Sequence, residues 1–249
     1  MIKNLINKEK NIIYSLKNFS EESLIIHHHL GLGDHIICNG LINQLSELLP
    51  KIYLPVKTNY LDMIKFLFKE INNINFFEVS DKNSDEDVKK YASDHNLKIL
   101  RIGFEKVRNN PFNKWFYEQM EMPYSYSFEK FYLPNDDGMS QKLKNHLINY
   151  YDVNVDRFAL VHNESHDKTY NLQISNDIDK VFVNKETDLY NNLFFYKNLI
   201  ETAEEIHCIN SSFLHLVDRV PTNAKLFYHH IRKSNFELSD NWKKVEYEN

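Results

Sequence analysis

The 249-residue sequence contains little cysteine and no long apolar run, and each shortage excludes a class of protein. Its two cysteines, Cys38 and Cys208, supply neither a disulfide framework nor the paired spacing of a zinc site, which favours a reducing, cytoplasmic location. No apolar stretch approaches the roughly 18 residues that a membrane-spanning helix needs. Residues 1–20 alternate apolar and basic side chains without the apolar core of a signal peptide, so peripheral association with the inner face of a membrane stays open.

The charge balance argues against a nucleic-acid partner. The formal net charge is -5, and lysine and arginine are spread along the chain instead of forming a basic face. Hydrophobic residues make up 42% of the chain, which is enough to bury one large core or two smaller ones.

Strand-like apolar runs alternate with helical patterns, which is typical of βαβ units and parallel sheets. Several runs are apolar on both faces, as buried parallel strands are. The segment FYLPNDDG predicts a linker, because proline and glycine interrupt it, and we therefore divide the sequence into domains at 1–135 and 136–249. Strands are predicted at 24–28, 52–56, 75–79, 98–102, 157–162, 180–183, 205–209 and 224–228, and helices at 35–48, 59–70, 85–95, 141–151 and 191–203.

The first candidate site is the strand–turn–helix junction in the segment SLIIHHHLGLGDHIICNGLINQL. It is not a dinucleotide fingerprint, because Ile36 stands where the third glycine is due and no acidic residue ends the strand at Val56. Gly31 and Gly33 allow a tight turn and close backbone approach to a ligand. Asp34, at or near the start of the helix, either caps it or acts as a general base toward a bound substrate.

Three consecutive histidines, His27, His28 and His29, precede the turn. Their side chains alternate along a strand, and no further ligands at fixed spacing accompany them, so we expect no metal site. His29 is nearest the turn and is expected to reach the ligand. His35, just beyond the turn, is assigned to the same ligand-facing set.

A polar loop, LVHNESHDKTYN, follows the first strand of the second half. Loops at the carboxyl ends of parallel strands are where α/β proteins bind ligands. His162 and Glu164 are therefore assigned as ligand-facing, with Glu164 accepting from sugar hydroxyls, and Lys168 is placed to neutralise a diphosphate. The loop also holds His166 and Asp167, and a merely solvated loop is the alternative.

A late junction, EIHCINSSFLHLVDRV, repeats the strand-to-helix design. Asn210, Ser211 and Ser212 open the helix, where hydroxyls beside free N–H groups suit a phosphate. His215 falls one turn later on the same side and is able to bond the same anion. The alternatives are an ordinary serine cap and a helix histidine with a purely structural role.

At these two junctions the chain resembles the GT-B glycosyltransferases, and most closely the ADP-heptose:lipopolysaccharide heptosyltransferase family. That family opens with a strand and a Gly-Asp turn, as in LGLGD here, and later carries a strand followed by Asp-Ser-Gly, two residues and His-Leu-Ala. This sequence has NSSFLHLV in that place, so Asn210 replaces the aspartate and Ser212 replaces the glycine.

The resemblance implies an α/β fold with two Rossmann-like domains facing across a cleft, each with a mostly parallel sheet. It also implies transfer of a sugar from a nucleotide-sugar donor to a hydroxyl of a glycan or glycolipid, with Asp34 as the base and no cofactor. Ser211, Ser212 and His215 match the donor-phosphate motif, to which Asn210 belongs, and Lys168 matches its lysine. No acidic pair stands in a convincing place for a metal, since Asp136-Asp137 lies in the linker, so we expect metal independence.

Two other functions stay open. A GT-B-like protein that binds a nucleotide or sugar without catalysis is consistent with the departures at Asn210 and Ser212. A hydrolase that uses the histidines needs a nucleophile paired with a base, and the sequence shows no such spacing.

Overall fold

The computed structural model describes residues 11–16, 23–104, 111–165, 168–175, 177–231 and 235–247. The chain divides into two compact units, Met1–Pro134 and Asn135–Asn249, and the described strands form one five-stranded parallel sheet in each. The predicted α/β class with two parallel sheets is therefore confirmed. Most of segment 1–20 lies outside the described residues, as do His166 and Asp167.

The sheet of the first unit is arranged around a fully buried strand. Its strands are β1 (Ile12–Ile13), β2 (Leu24–His27), β3 (Ile52–Lys57), β4 (Ile74–Val79) and β5 (Lys98–Arg101). They run parallel in the order β1-β5-β2-β3-β4. Leu24, Ile25 and Ile26 of β2 have no exposed surface, because helices and loops cover both faces of a central parallel strand.

Helices of the first unit follow the strands, and several differ from the predicted bounds. They are α1 (Leu32–Ile37), α2 (Asn39–Leu48), α3 (Leu61–Leu67), α4 (Ser84–Asp94), α5 (Phe112–Gln119) and α6 (Tyr126–Glu129), with a 3₁₀ turn at Thr58–Tyr60. The helix predicted at 35–48 begins earlier, at Leu32, and is interrupted at Cys38. No element was predicted where α5 and α6 lie.

Tyr117 of α5 accounts for the interruption between α1 and α2. Its hydroxyl accepts a hydrogen bond from the Leu41 N–H at 3.2 Å and donates one to the Ile37 carbonyl at 2.7 Å. In a continuous helix these two backbone groups would bond to each other. The inserted hydroxyl satisfies both, and α1 is thereby a separate short helix that carries the first candidate site.

The second unit repeats the parallel design. Its elements are α7 (Met139–Tyr151), β6 (Phe158–His162), β7 (Asp179–Phe182), a 3₁₀ turn (Leu193–Tyr196), α8 (Lys197–Thr202), β8 (Glu205–Cys208), α9 (Ser212–Val217), β9 (Lys225–His230) and β10 (Trp242–Glu246). The strand order is β10-β9-β8-β6-β7. The helix predicted at 191–203 is split into the 3₁₀ turn and α8. In the described ranges no helix is long and apolar enough to cross a membrane.

Candidate functional site

The first cluster lies where β2 and β5 end side by side and the chain turns into α1. Gly31 is the residue that precedes α1, and Asp34 is the third residue of the helix. The Asp34 carboxylate turns back and accepts a hydrogen bond from the Gly31 N–H through Oδ2 at 3.1 Å. A Cβ atom at Gly31 would lie 2.7 Å from that oxygen, so glycine is what allows this close approach.

The environment of Asp34 suits a base. Its other oxygen, Oδ1, lies 3.9 Å from Nδ1 of His29, and its side chain is 19% exposed. Burial raises the pKa of the Asp34 carboxyl, whereas His29, the Gly31 N–H and the charge of Lys57 act in the opposite direction. A carboxylate with a raised pKa binds a proton more readily near neutral pH than a free aspartate does.

Two histidines of this segment are interior residues. His28 and His35 have no exposed surface, and their rings meet edge to face at 4.5 Å. Burial lowers the pKa of His28 to about 3 and that of His35 well below its usual value, so both are neutral at physiological pH. The structure thus places His35 in the core, and not on the ligand-facing side that the sequence predicts. His29 is half-buried beside Asp34, and Gly33 is a half-buried position within α1.

Charged side chains at the ends of neighbouring strands were missed. Arg101 ends β5, and its Nη2 donates to Oδ1 of Asp85 at 2.8 Å. Lys57 ends β3 and pairs with Asp81 at 3.2 Å. Arg101 and Lys57 could have been assigned to the site from the sequence. The carboxyl ends of parallel strands share one edge of a sheet, and these two basic residues each end a strand.

The second cluster begins at the end of β6. His162 stacks on Phe213 at 5.4 Å, and burial lowers the pKa of His162 to about 4. Glu164 forms an antiparallel bridge with Thr169, and the Lys168 carbonyl accepts from the N–H and hydroxyl of Ser165. The Lys168 ammonium group is exposed and lies 5.0 Å from the centroid of the Tyr170 ring. The loop is therefore folded back on itself, with the ammonium group of Lys168 at the surface.

The late junction has the predicted strand-to-helix form. Ser211 precedes α9, and its hydroxyl accepts a hydrogen bond from the Leu214 N–H at 3.3 Å. Asn210, Ser211 and Ser212 are half-buried at the carboxyl end of β8. His215 is only 4% exposed and packs edge to face against Phe236 at 5.0 Å. The cap is thus present, and His215 lies on the packed side of a six-residue helix.

Tyr196 is a residue that sequence reasoning missed. It is fully buried, and burial raises the pKa of its hydroxyl. In the part of the chain that the structure describes, neither this hydroxyl nor Nδ1 of His162 has a hydrogen-bond partner. Both rings contact Phe213, so two unsatisfied polar groups flank one aromatic ring beside the late junction.

A cavity of about 750 Å³ lies elsewhere in the second unit. It is lined by Asp218, Thr222 and Asn241 among others, residues that precede β9 and β10, and so it opens at the amino edge of the sheet. The Ser211 junction is at the carboxyl edge. Asp218 uses one oxygen to accept from Ser239 and Trp242, which ties the segment before β10 to α9.

No three His, Cys, Asp or Glu side chains among the described residues come together as ligands for a metal ion. Metal independence stays a prediction.

A solved structure with a similar fold is the crystal structure of the glycosyl transferase family 9 protein from Veillonella parvula DSM 2008. The TM-score is 0.57 over 92% of this chain and 88% of that chain, at 8% sequence identity. At this identity the similarity shows the fold: the chain has a Rossmann-like α/β fold similar to that of this glycosyl transferase family 9 protein. Comparisons of the sequence with protein-family models and with curated proteins give no match.

Proposed function

We propose that the chain is a glycosyltransferase that moves a hexosyl or heptosyl group from a nucleotide-sugar donor to a hydroxyl of a glycan or glycolipid acceptor, without a metal ion. The fold similarity supports the general class of activity. The geometry of Asp34 carries the proposal, because a partly exposed carboxylate with a raised pKa stands at the carboxyl edge of a parallel sheet.

In this mechanism Asp34 accepts the proton of the acceptor hydroxyl. The acceptor oxygen forms its bond to the anomeric carbon while the bond from that carbon to the diphosphate breaks, and the electron pair leaves on the diphosphate oxygen. A positioned base of this kind contributes about 10²–10⁴-fold to the rate. The Gly31 N–H fixes one carboxylate oxygen and leaves Oδ1, beside His29, to take the proton.

The second unit would hold the donor. Ser211 and Ser212 stand at the start of α9, the positive end of the helix dipole, and Lys168 follows β6 at the same edge of the sheet. These groups would stabilise the negative charge that develops on the leaving diphosphate. Asn210 stands where the family that this chain resembles has aspartate, so the proposed donor site carries one negative charge fewer than the donor site of that family.

The experiment that tests this function is a thermal-shift screen with nucleoside diphosphates and nucleotide sugars, followed by measurement of nucleoside diphosphate release with glycan acceptors. Stabilisation by one nucleotide class together with acceptor-dependent release is the expected result. Absence of any nucleotide binding would contradict the proposal. Binding without release would favour the non-catalytic alternative, and activity abolished by EDTA and restored by Mg²⁺ or Mn²⁺ would contradict metal independence.

A further inference from the structure

Phe104 is an exposed aromatic ring beside the candidate base. It follows β5 at the carboxyl edge of the first sheet and is 37% exposed. It is the one phenylalanine among the exposed large hydrophobic side chains of the described ranges. A single exposed aromatic side chain is common on protein surfaces, so the case for a function depends on the groups that surround this ring.

The ring is held in a fixed place by its neighbours. The guanidinium carbon of Arg101 lies 4.0 Å from the ring centroid, and Arg101 is itself anchored by its hydrogen bond to Asp85. Gly103, with a φ of 84°, makes the turn that carries the ring. A Cβ atom on Gly103 would lie 2.1 Å from the Phe116 ring, so the turn is packed tightly against α5.

A single imidazole connects Phe104 to Asp34. The His29 ring meets the Phe104 ring edge to face at 5.0 Å, and Nδ1 of His29 lies 3.9 Å from Oδ1 of Asp34. The His27 ring is also close to Phe104, at 4.9 Å. The guanidinium group of Arg101 therefore covers one face of the Phe104 ring, which leaves the opposite face for a ligand, with the His29 imidazole and the Asp34 carboxylate nearby in the same unit.

This arrangement matches the chemistry of a pyranose ring. A pyranose presents an apolar face of C–H groups, which packs on an aromatic ring, and a rim of hydroxyls, which bond to charged and polar groups. A lipid chain or an apolar peptide would cover these polar groups without offering them any hydrogen bond in place of water. We propose that Phe104 is the stacking platform for a sugar ring of the acceptor and that it presents a hydroxyl of that ring to Asp34. The assignment of the sugar as acceptor rests on the proposed function.

The test compares Phe104→Ala, Phe104→Trp and a control, Tyr132→Ala, which removes another exposed aromatic ring of the same unit. Binding of a panel of neutral oligosaccharides is followed by saturation-transfer NMR, and the acceptor KM and the nucleoside diphosphate affinity are measured alongside. Phe104→Ala is expected to weaken oligosaccharide binding and to raise the acceptor KM by roughly tenfold, with unchanged nucleoside diphosphate affinity. Phe104→Trp, which keeps an aromatic face, should bind oligosaccharide more tightly than Phe104→Ala, and Tyr132→Ala should stay near the wild type.

The outcomes distinguish a failure of the Phe104 proposal from a failure of the proposed transfer function. Oligosaccharide binding that depends on Phe104 in a protein with no transfer activity would support the platform and contradict the proposed function. Transfer with an acceptor KM that Phe104→Ala leaves within about twofold of the wild type would overturn the platform alone. A parallel loss of oligosaccharide and nucleoside diphosphate affinity would also overturn it, and so would wild-type protein that binds none of the panel.

Discussion

The hydroxyl of Tyr117 accepts a hydrogen bond from the backbone N–H of Leu41, across 76 positions of the chain. The same hydroxyl donates to the Ile37 carbonyl, so a side chain of α5 decides where α1 ends and α2 begins. The short helix that bears Asp34 therefore depends on a contact made by a distant part of the first unit.

Tyr117→Phe is expected to lower the free energy of unfolding by about 1–3 kcal/mol, because the fully buried Leu41 N–H and Ile37 carbonyl both lose a partner. Urea denaturation measures the effect. The control is Tyr132→Phe, which removes an exposed hydrogen bond to Glu70 and should cost less than about 0.5 kcal/mol. Equal effects of the two substitutions would contradict this role of Tyr117.

Gly31→Ala should impair catalysis more than stability. The added methyl group would lie 2.7 Å from Oδ2 of Asp34, so the carboxylate must move and lose the Gly31 N–H. Gly31 has a φ of -72°, which alanine adopts without strain, and we expect turnover to fall by about tenfold or more with little change in melting temperature.

Gly40→Ala is the matched control for this substitution. Its Cβ atom would lie 2.0 Å from the backbone oxygen of Tyr126, which cannot move away as a side chain can. It should unfold the protein at a clearly lower temperature. Unchanged turnover in Gly31→Ala would show that the exact position of Asp34 is unimportant.

The double substitution Ser211→Ala, Ser212→Ala should weaken nucleoside diphosphate binding by at least about tenfold, since up to two charge-assisted hydrogen bonds are lost. It should also cost about 1 kcal/mol of stability, because Ser211 caps α9. Asn192→Ala is the control, since Asn192 caps the 3₁₀ turn before α8 through the Phe194 N–H. Calorimetric titration in which the two proteins bind nucleoside diphosphate equally would reduce Ser211 and Ser212 to a helix cap.

Acid should destabilise the protein through its buried histidines. The pKa of His28 and of His215 is lowered by burial to about 3 from a usual value of 6.5. The unfolded chain therefore binds protons at a higher pH than the folded one, and stability is lost as the pH falls below about 6.5. At pH 5 each histidine should contribute a loss of about 2 kcal/mol.

Asp34 acts in the opposite direction, because a raised carboxyl pKa favours the folded state as the pH falls. Urea denaturation at pH 7.5 and pH 5 measures the sum, and His215→Gln should flatten the dependence. A His215→Gln protein that loses as much stability between the two pH values as the wild type would contradict the burial of a neutral His215.

The strands with apolar runs could be predicted from the sequence. The predicted strand at 52–56 is β3, Ile52–Lys57, most of whose side chains are buried. The predicted strand at 75–79 is β4, Ile74–Val79, an edge strand that its apolar and aromatic run still marks. β10 was missed, since its sequence WKKVE is charged and half-exposed at the edge of the sheet. Among the described strands its sheet partner is β9, and no apolar run marks such a strand.

Asp34 and Ser211 could be located from the sequence because each belongs to a local strand–turn–helix pattern. The inward orientation of His35 could not, since it depends on α1 beginning at Leu32 and ending at the Tyr117 contact. The grouping of Phe104 with His29 was also unpredictable, because it depends on the side-by-side pairing of β2 and β5.

The most direct test of the central claim is the turnover of Asp34→Asn, measured as acceptor-dependent release of nucleoside diphosphate, with Asp62→Asn as the control. Asp62 is an exposed acidic residue in the first turn of α3, as Asp34 is in the first turn of α1. If Asp34 is the base, Asp34→Asn should bind the nucleoside diphosphate normally and lose at least about tenfold in turnover, while Asp62→Asn matches the wild type. Equal turnover in all three proteins would contradict the account and leave Asp34 as a residue that only stabilises the turn at Gly31.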